Sequence, residues 1–227
     1  MSEEKNSRLA ARRTVLARCE DWMRDYMKSY YNEDAEIQRA VLLKEAHTGR
    51  VKTIIGELAV HLGLSEEDIA LAELMGLLHD VGRFRQFTVY RTFKDHLSED
   101  HATAGLKLMD EHRLLDGLLP WEQSLVRFAV QWHNKKEIAP SDDERKILFA
   151  KIIRDADKLD IYRVLEPFFA QENADKMPNA PVRVFCSGFP YSVLAVSKAS
   201  QMALWMLRTS RQSPMAMTFS KSFRISS

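Results

Sequence analysis

Two cysteines in 227 residues, Cys19 and Cys186, give neither a disulfide framework nor a thiolate metal site with ligand-like spacing. The eight glycines nowhere build the Gly-rich phosphate loops of Walker or dinucleotide type. No serine sits in the turn context of a nucleophile elbow. Apolar runs stop short of a membrane span, and the start, Met1-Ser2-Glu3-Glu4-Lys5-Asn6, is too polar for a signal peptide. Charge of one sign is missing too. With 33 basic and 32 acidic side chains the formal net charge is +1, which makes no electrostatic case for nucleic-acid binding. These absences leave a cytoplasmic enzyme as the expectation, with partners that are neither membrane nor nucleic acid.

What is present is one helix after another, so an all-α fold is expected. Arg8 to Tyr30 has apolar positions at Leu9, Val15, Leu16, Trp22, Met23, Tyr26 and Met27, a three-four pattern. A second helix covers Glu33 to Leu62, with Gly63 as its stop. Ser65 followed by Glu66-Glu67-Asp68 reads as a capped start for a third helix, which runs to His79-Asp80. Arg83 to Ser98 lacks periodicity and reads as a loop. Helices follow from Ser98-Glu99-Asp100 to about His112 and from Pro120 to about His133. Another runs from Asp142 to Glu166, stopped by Pro167. The proline-rich stretch 177–191 reads as an irregular segment or small hairpin, and Ser192 to Arg208 returns to helix. The expected organisation is an N-terminal helix (1–32) packed on one domain (33–208), with a loosely packed tail (209–227). Met202, Trp205 and Met206 read as core or as a contact between subunits of a homo-oligomer.

The pair His79-Asp80 closes the apolar run Leu71 to Leu78 and is followed by Val81-Gly82-Arg83. An imidazole nitrogen and a carboxylate oxygen from adjacent residues suit Mn, Fe, Zn or Mg better than a thiolate site would. A carboxylate at the end of a buried helix also needs a partner, and a metal is one. His47, His101, His133 and Asp157 supply further donors along the chain. His61 and His112 fall at helix ends, where an imidazolium simply favours the dipole.

This order, in Glu45-Ala46-His47-Thr48-Gly49-Arg50-Val51, Leu77-Leu78-His79-Asp80-Val81-Gly82-Arg83 and Arg154-Asp155-Ala156-Asp157-Lys158-Leu159-Asp160, resembles the HD-domain superfamily of metal-dependent phosphohydrolases. The resemblance covers Val41 to Tyr162 and implies a multi-helix HD-domain bundle. Asp155 and Asp157 lie about 200° apart on a helix and cannot both face one centre. The apolar stripe falls midway between them, so periodicity does not choose. The resemblance places the ligand at Asp157 and leaves Asp155 and Asp160 to orient metal-bound histidines.

Six ligands converging as the resemblance implies would place one ion on His47, His79, Asp80 and Asp157. A second would lie on His101 and His133, with Asp80 bridging and acting as the catalytic carboxylate. The expected cofactor is one or two divalent ions, with Mn, Fe, Zn, Mg and Ni all admitted. The layout resembles the dinuclear branch that includes HD-GYP phosphodiesterases. It departs from that subgroup by Arg83 in place of the usual lysine and by lacking the GYP signature. Arg83, Lys135, Lys158 and His96 are the candidate substrate contacts, with Arg83 also a catalytic candidate because a guanidinium grips phosphate oxygens bidentately. The expected reaction is hydrolysis of a phosphoester of a nucleotide or related small anion by metal-activated hydroxide. A dinuclear-iron oxygenase of the same superfamily and a catalytically silent nucleotide-binding domain are the alternatives.

Overall fold

The structure, a computed structural model, describes residues 2–169. These form α1 (Ser2–Lys28), α2 (Ala35–His61), α3 (Glu66–Leu78), α4 (Gly82–Tyr90), a short 3₁₀ turn (Asp95–Leu97), α5 (His101–Glu111), α6 (Pro120–Trp132) and α7 (Glu144–Phe169). No strand occurs among the described residues, and the all-α expectation holds. The expected hairpin at 177–191, the helix at 192–208 and the tail lie outside the described residues.

α3 is the hub. Ser65 caps its start by accepting from the Asp68 N–H. Leu71, Ala72, Leu74, Met75, Gly76, Leu77 and Leu78 are all buried, so beyond its acidic first turn the helix is apolar over most of its circumference, with Glu73 the polar exception. It packs against α1, α2, α6 and α7. The approach of α2 is set by Gly76, where an added Cβ would lie 2.7 Å from Ile55 Cγ2 and 2.9 Å from Lys52 Cα. α2 presents a three-four stripe that includes Val41, Lys44, His47, Thr48, Val51 and Ile55. It ends as the sequence predicts at Gly63, whose φ of +68° allows Leu64 N–H to reach Ala59 O and Gly63 N–H to reach Val60 O.

α1 buries Val15, Leu16, Cys19 and Met23. It is also tied down by Arg12, whose Nε donates to Glu122 Oε1 at 2.5 Å while its Nη1 lies 3.0 Å from Glu67. Glu122 accepts in turn from the Leu119 N–H at the start of α6, so one buried pair links three helices.

Two sequence expectations need correction. Arg83 to Ser98 is largely helical rather than a loop: α4 occupies Gly82–Tyr90 and a 3₁₀ turn occupies Asp95–Leu97. α4 has no side-chain cap and only nine residues, about two and a half turns, so it carries no start signal and too short a pattern to read. It forms because Phe84 and Gln86 are buried, with Phe84 edge-on to Tyr26 of α1. Arg91, at φ 55°, ends it. The second correction is at Pro167, where α7 continues to Phe169. Proline's fixed φ is helical, and so near a helix end it removes one hydrogen bond without forcing a stop.

The approach of α4 to α5 is equally tight, since a Cβ on Gly82 would lie 2.4 Å from the His101 carbonyl oxygen. Gly82→Ala is therefore expected to push α5 away and to destabilise the fold by about 1–3 kcal/mol, the usual range for overpacking. Chemical denaturation checks this; an unchanged midpoint would mean the two helices separate freely.

Candidate metal centre

Five helices bring the predicted donors together. His47 comes from the middle of α2, His79 and His133 from the residues that end α3 and α6, His101 from the first turn of α5, and Asp157 from α7. His47, His79, Asp80, His101 and His133 are all buried, at 0–3% exposure.

Every one of the four imidazoles is held by its Nδ1. His79 Nδ1–H donates to Gly76 O at 2.8 Å, and His133 Nδ1–H donates to Val130 O at 2.7 Å. Both acceptors belong to the last turn of the preceding helix, where carbonyls lack helical partners. His47 Nδ1–H donates to Asp160 Oδ2 at 2.8 Å, and His101 Nδ1–H to Asp95 Oδ2 at 2.8 Å. Carbonyl and carboxylate oxygens only accept, so the proton sits on Nδ1 and each Nε2 is turned inward as a donor atom for a metal.

The four Nε2 atoms form two pairs, His47 with His79 at 3.3 Å and His101 with His133 at 3.0 Å. Asp80 serves both. Its Oδ2 is 3.5 Å from Nε2 of His47 and of His79, and its Oδ1 is 3.3 Å from His101 and 3.6 Å from His133. Two groups of donors result, His47–His79–Asp80 and Asp80–His101–His133, sharing one carboxylate.

These edges fit divalent ions. With bonds of about 2.1 Å, ligand atoms around one ion stand about 3.0 Å apart in an octahedron and about 3.4 Å apart in a tetrahedron. Nitrogen lone pairs facing one another at such distances also repel unless a cation or proton stands between them. Asp157 Oδ1 joins the first group at 3.1 Å from His47 Nε2 and 3.9 Å from His79 Nε2.

Electrostatics follow from this packing. Burial pushes the His101 imidazolium down to about 3, aided by the Arg83 charge and opposed by Asp95, which leaves a neutral ligand form. Burial lowers His79 as well. At His47 burial and Lys44 act downward, yet hydrogen bonds to Asp157, Asp160 and Asp80 prevail and raise it to about 9, so without an ion its Nε2 carries a second proton that a bound metal would displace. Asp80 is buried, which favours its neutral form, but Lys44 and the surrounding histidines hold it well below the usual carboxylate range.

Several supporting residues carry no motif. Lys44 Nζ donates to Asp80 Oδ2 at 2.6 Å; its signal in the sequence is a lysine on the buried stripe of α2, one turn before His47. Asp95 accepts from His101, from Arg83 Nη1 and Gln86 Nε2 at 2.9 Å, and from Asn134 Nδ2 at 3.0 Å. Gln86, fully buried, also donates to Ser98 Oγ and Glu99 O, each at 2.8 Å, and so fixes the segment that carries Asp95. Asp160 is locked from behind by Arg50 Nε at 2.5 Å and Nη2 at 2.9 Å.

The candidate substrate contacts are dispersed. Arg83 places Nε 3.5 Å from Asp80 Oδ1 and spends Nη1 on Gln86 Oε1, Phe93 O and Asp95 Oδ1 at 2.6–2.9 Å. Lys135 pairs with Asp100, which caps α5. Lys158 is half-buried beside Asp157, and His96 is exposed on the 3₁₀ turn.

Because Asp95 and Asp160 orient one histidine in each group, Asp95→Asn and Asp160→Asn are each expected to weaken metal binding by about 10–100-fold with helix content unchanged. Metal titration beside circular dichroism checks this; wild-type affinity in both variants would remove them from the centre.

The comparisons with known proteins agree with this geometry. The family profile of the HD domain matches residues 44–162, more than half of the chain. No curated protein and no solved structure matches it. Both donor groups have their histidines and the shared Asp80 within the matched region, and the chain belongs to the HD-domain family, within the superfamily of metal-dependent hydrolases.

Proposed function

We propose that this protein is a metal-dependent phosphohydrolase that cleaves a phosphoester of a nucleotide or related small anion. His47, His79, Asp80 and Asp157 would hold one divalent ion, and Asp80, His101 and His133 a second. The observation that carries this reading is the Asp80 carboxylate, with one oxygen turned to each histidine pair.

Divalent ions held in this way lower the pKa of water and neutralise charge developing on phosphoryl oxygens. The chain's own residues supply the rest. Gly76 O, Val130 O, Asp160 and Asp95 fix the imidazole orientations, so little reorganisation is needed when an ion or substrate arrives. Burial of the donors keeps bulk water away and strengthens each electrostatic contact. Arg83 and Asp157, at 16% and 14% exposure, mark where the centre opens to solvent. Arg83 stands at this opening, and the half-buried Lys158 follows Asp157 on α7. Positive charge at both suits an anionic group, while Lys135 and His96 are more peripheral.

Phosphate release from a panel of nucleotides and simple phosphomonoesters, with Mn, Zn, Fe, Mg or Ni added singly, tests the proposal. Turnover is expected to require the metal and to disappear in Asp80→Ala. It should fall strongly in Asp157→Asn and stay within about twofold in Asp155→Asn, since Asp155 lies about 200° away on α7. Full activity in Asp80→Ala would contradict the proposal. So would inertness toward every phosphoester with oxygen consumption in the iron-loaded protein, the behaviour of an oxygenase.

A further inference from the structure

The histidine and aspartate donors do not account for the buried ammonium of Lys44. Its side chain is 3% exposed, and its Nζ lies 2.6 Å from Asp80 Oδ2, the oxygen turned toward His47 and His79. The Phe93 ring stands 5.4 Å from Nζ, a distance at which an aromatic face attracts a cation. Lys44 sits one turn before His47 on the buried stripe of α2, so its side chain enters the centre beside that ligand. Burying a lysine is costly without a carboxylate partner, and Asp80 is that partner. The opposite oxygen has a cation near it too, Arg83 Nε at 3.5 Å, but Asp95 lies 2.9 Å from that guanidinium and offsets its charge.

We infer that Lys44 is a resident cation that competes with the divalent ion at the His47–His79–Asp80 group. It stabilises the buried carboxylate before an ion arrives and repels the ion once it is bound. The inference rests on the metal-centre reading above. A unit positive charge a few ångström from a dication opposes binding even at the effective dielectric of a protein interior. Removing that charge should therefore move two quantities in opposite directions. The metal-free fold loses the partner of a buried carboxylate and becomes less stable, while the affinity for the ion rises. A lysine that merely orients Asp80 would lower both when removed.

The test uses the full chain and Mn²⁺ as the probe, with Lys44→Met, Lys44→Gln and Lys44→Arg beside the wild type. Glutamine can still donate a hydrogen bond to Asp80 without the charge, so it separates charge from orientation, and arginine retains the charge. Lys44→Met and Lys44→Gln are expected to bind Mn²⁺ about tenfold more tightly or better. Each should melt lower than wild type without metal, yet gain more in Tm at saturating Mn²⁺. Lys44→Arg should stay near wild-type affinity. Weaker or equal Mn²⁺ binding in both uncharged variants, with no larger gain in Tm, overturns the inference while leaving the metal centre standing. Failure of the wild type to bind Mn²⁺, Zn²⁺ or Fe²⁺ at all overturns the metal-centre reading and this inference with it.

Discussion

Asp80 places a carboxylate at the meeting point of five helices, where isolation from water would be prohibitive without positive charge or donors around it. Much of the bundle is arranged to supply them. α3 ends one residue before His79 and so delivers His79 and Asp80 together, α2 contributes Lys44 and His47, α4 contributes Arg83, and α5 and α6 contribute His101 and His133. Because each carboxylate oxygen faces a different histidine pair, a shift of Asp80 disturbs both halves of the site. The close approaches at Gly76 and Gly82 bear on the same point, since they bring α2 and α5 near enough for His47 and His101 to reach it.

Around this carboxylate the histidines are held by two kinds of anchor. His79 and His133 use carbonyls three residues back, at helix ends where such oxygens are unclaimed. Their orientation comes with the secondary structure itself. His47 and His101 use the carboxylates Asp160 and Asp95, distant in sequence from His47 and close to His101, each braced by an arginine. The first kind needs no particular side chain; the second is sensitive to single substitutions. That contrast explains why two histidines have local supports and two depend on the packing of α2 against α7 and of α4 against the segment that follows it.

Much of this was legible in the sequence, and the rest was not for identifiable reasons. His79-Asp80 stood out because a charged pair interrupts an apolar run, and the helix boundaries around it followed capping residues that the structure uses. Asp155 and Asp157 could not be separated by periodicity because the apolar stripe of α7 lies between them; only the placement of α7 against α2 puts Asp157 beside His47. Asp95, Gln86 and Lys44 were missed because their roles depend on the uncapped α4 and on the depth of one face of α2. A lysine on the buried stripe of α2, one turn before His47, was the available signal for Lys44. Arg83, read from the sequence as a phosphate contact, braces the segment around Asp95 in the structure.

Metal content bears most directly on the central claim, that one buried carboxylate serves two sets of histidine ligands. Elemental analysis of untagged wild-type protein, purified without chelator and then supplied with Mn, Fe or Zn, should give two ions per chain. Asp80→Ala should lose both together while its helix content persists. One ion per chain in the wild type, or retention of an ion at full occupancy in Asp80→Ala, would contradict a shared carboxylate.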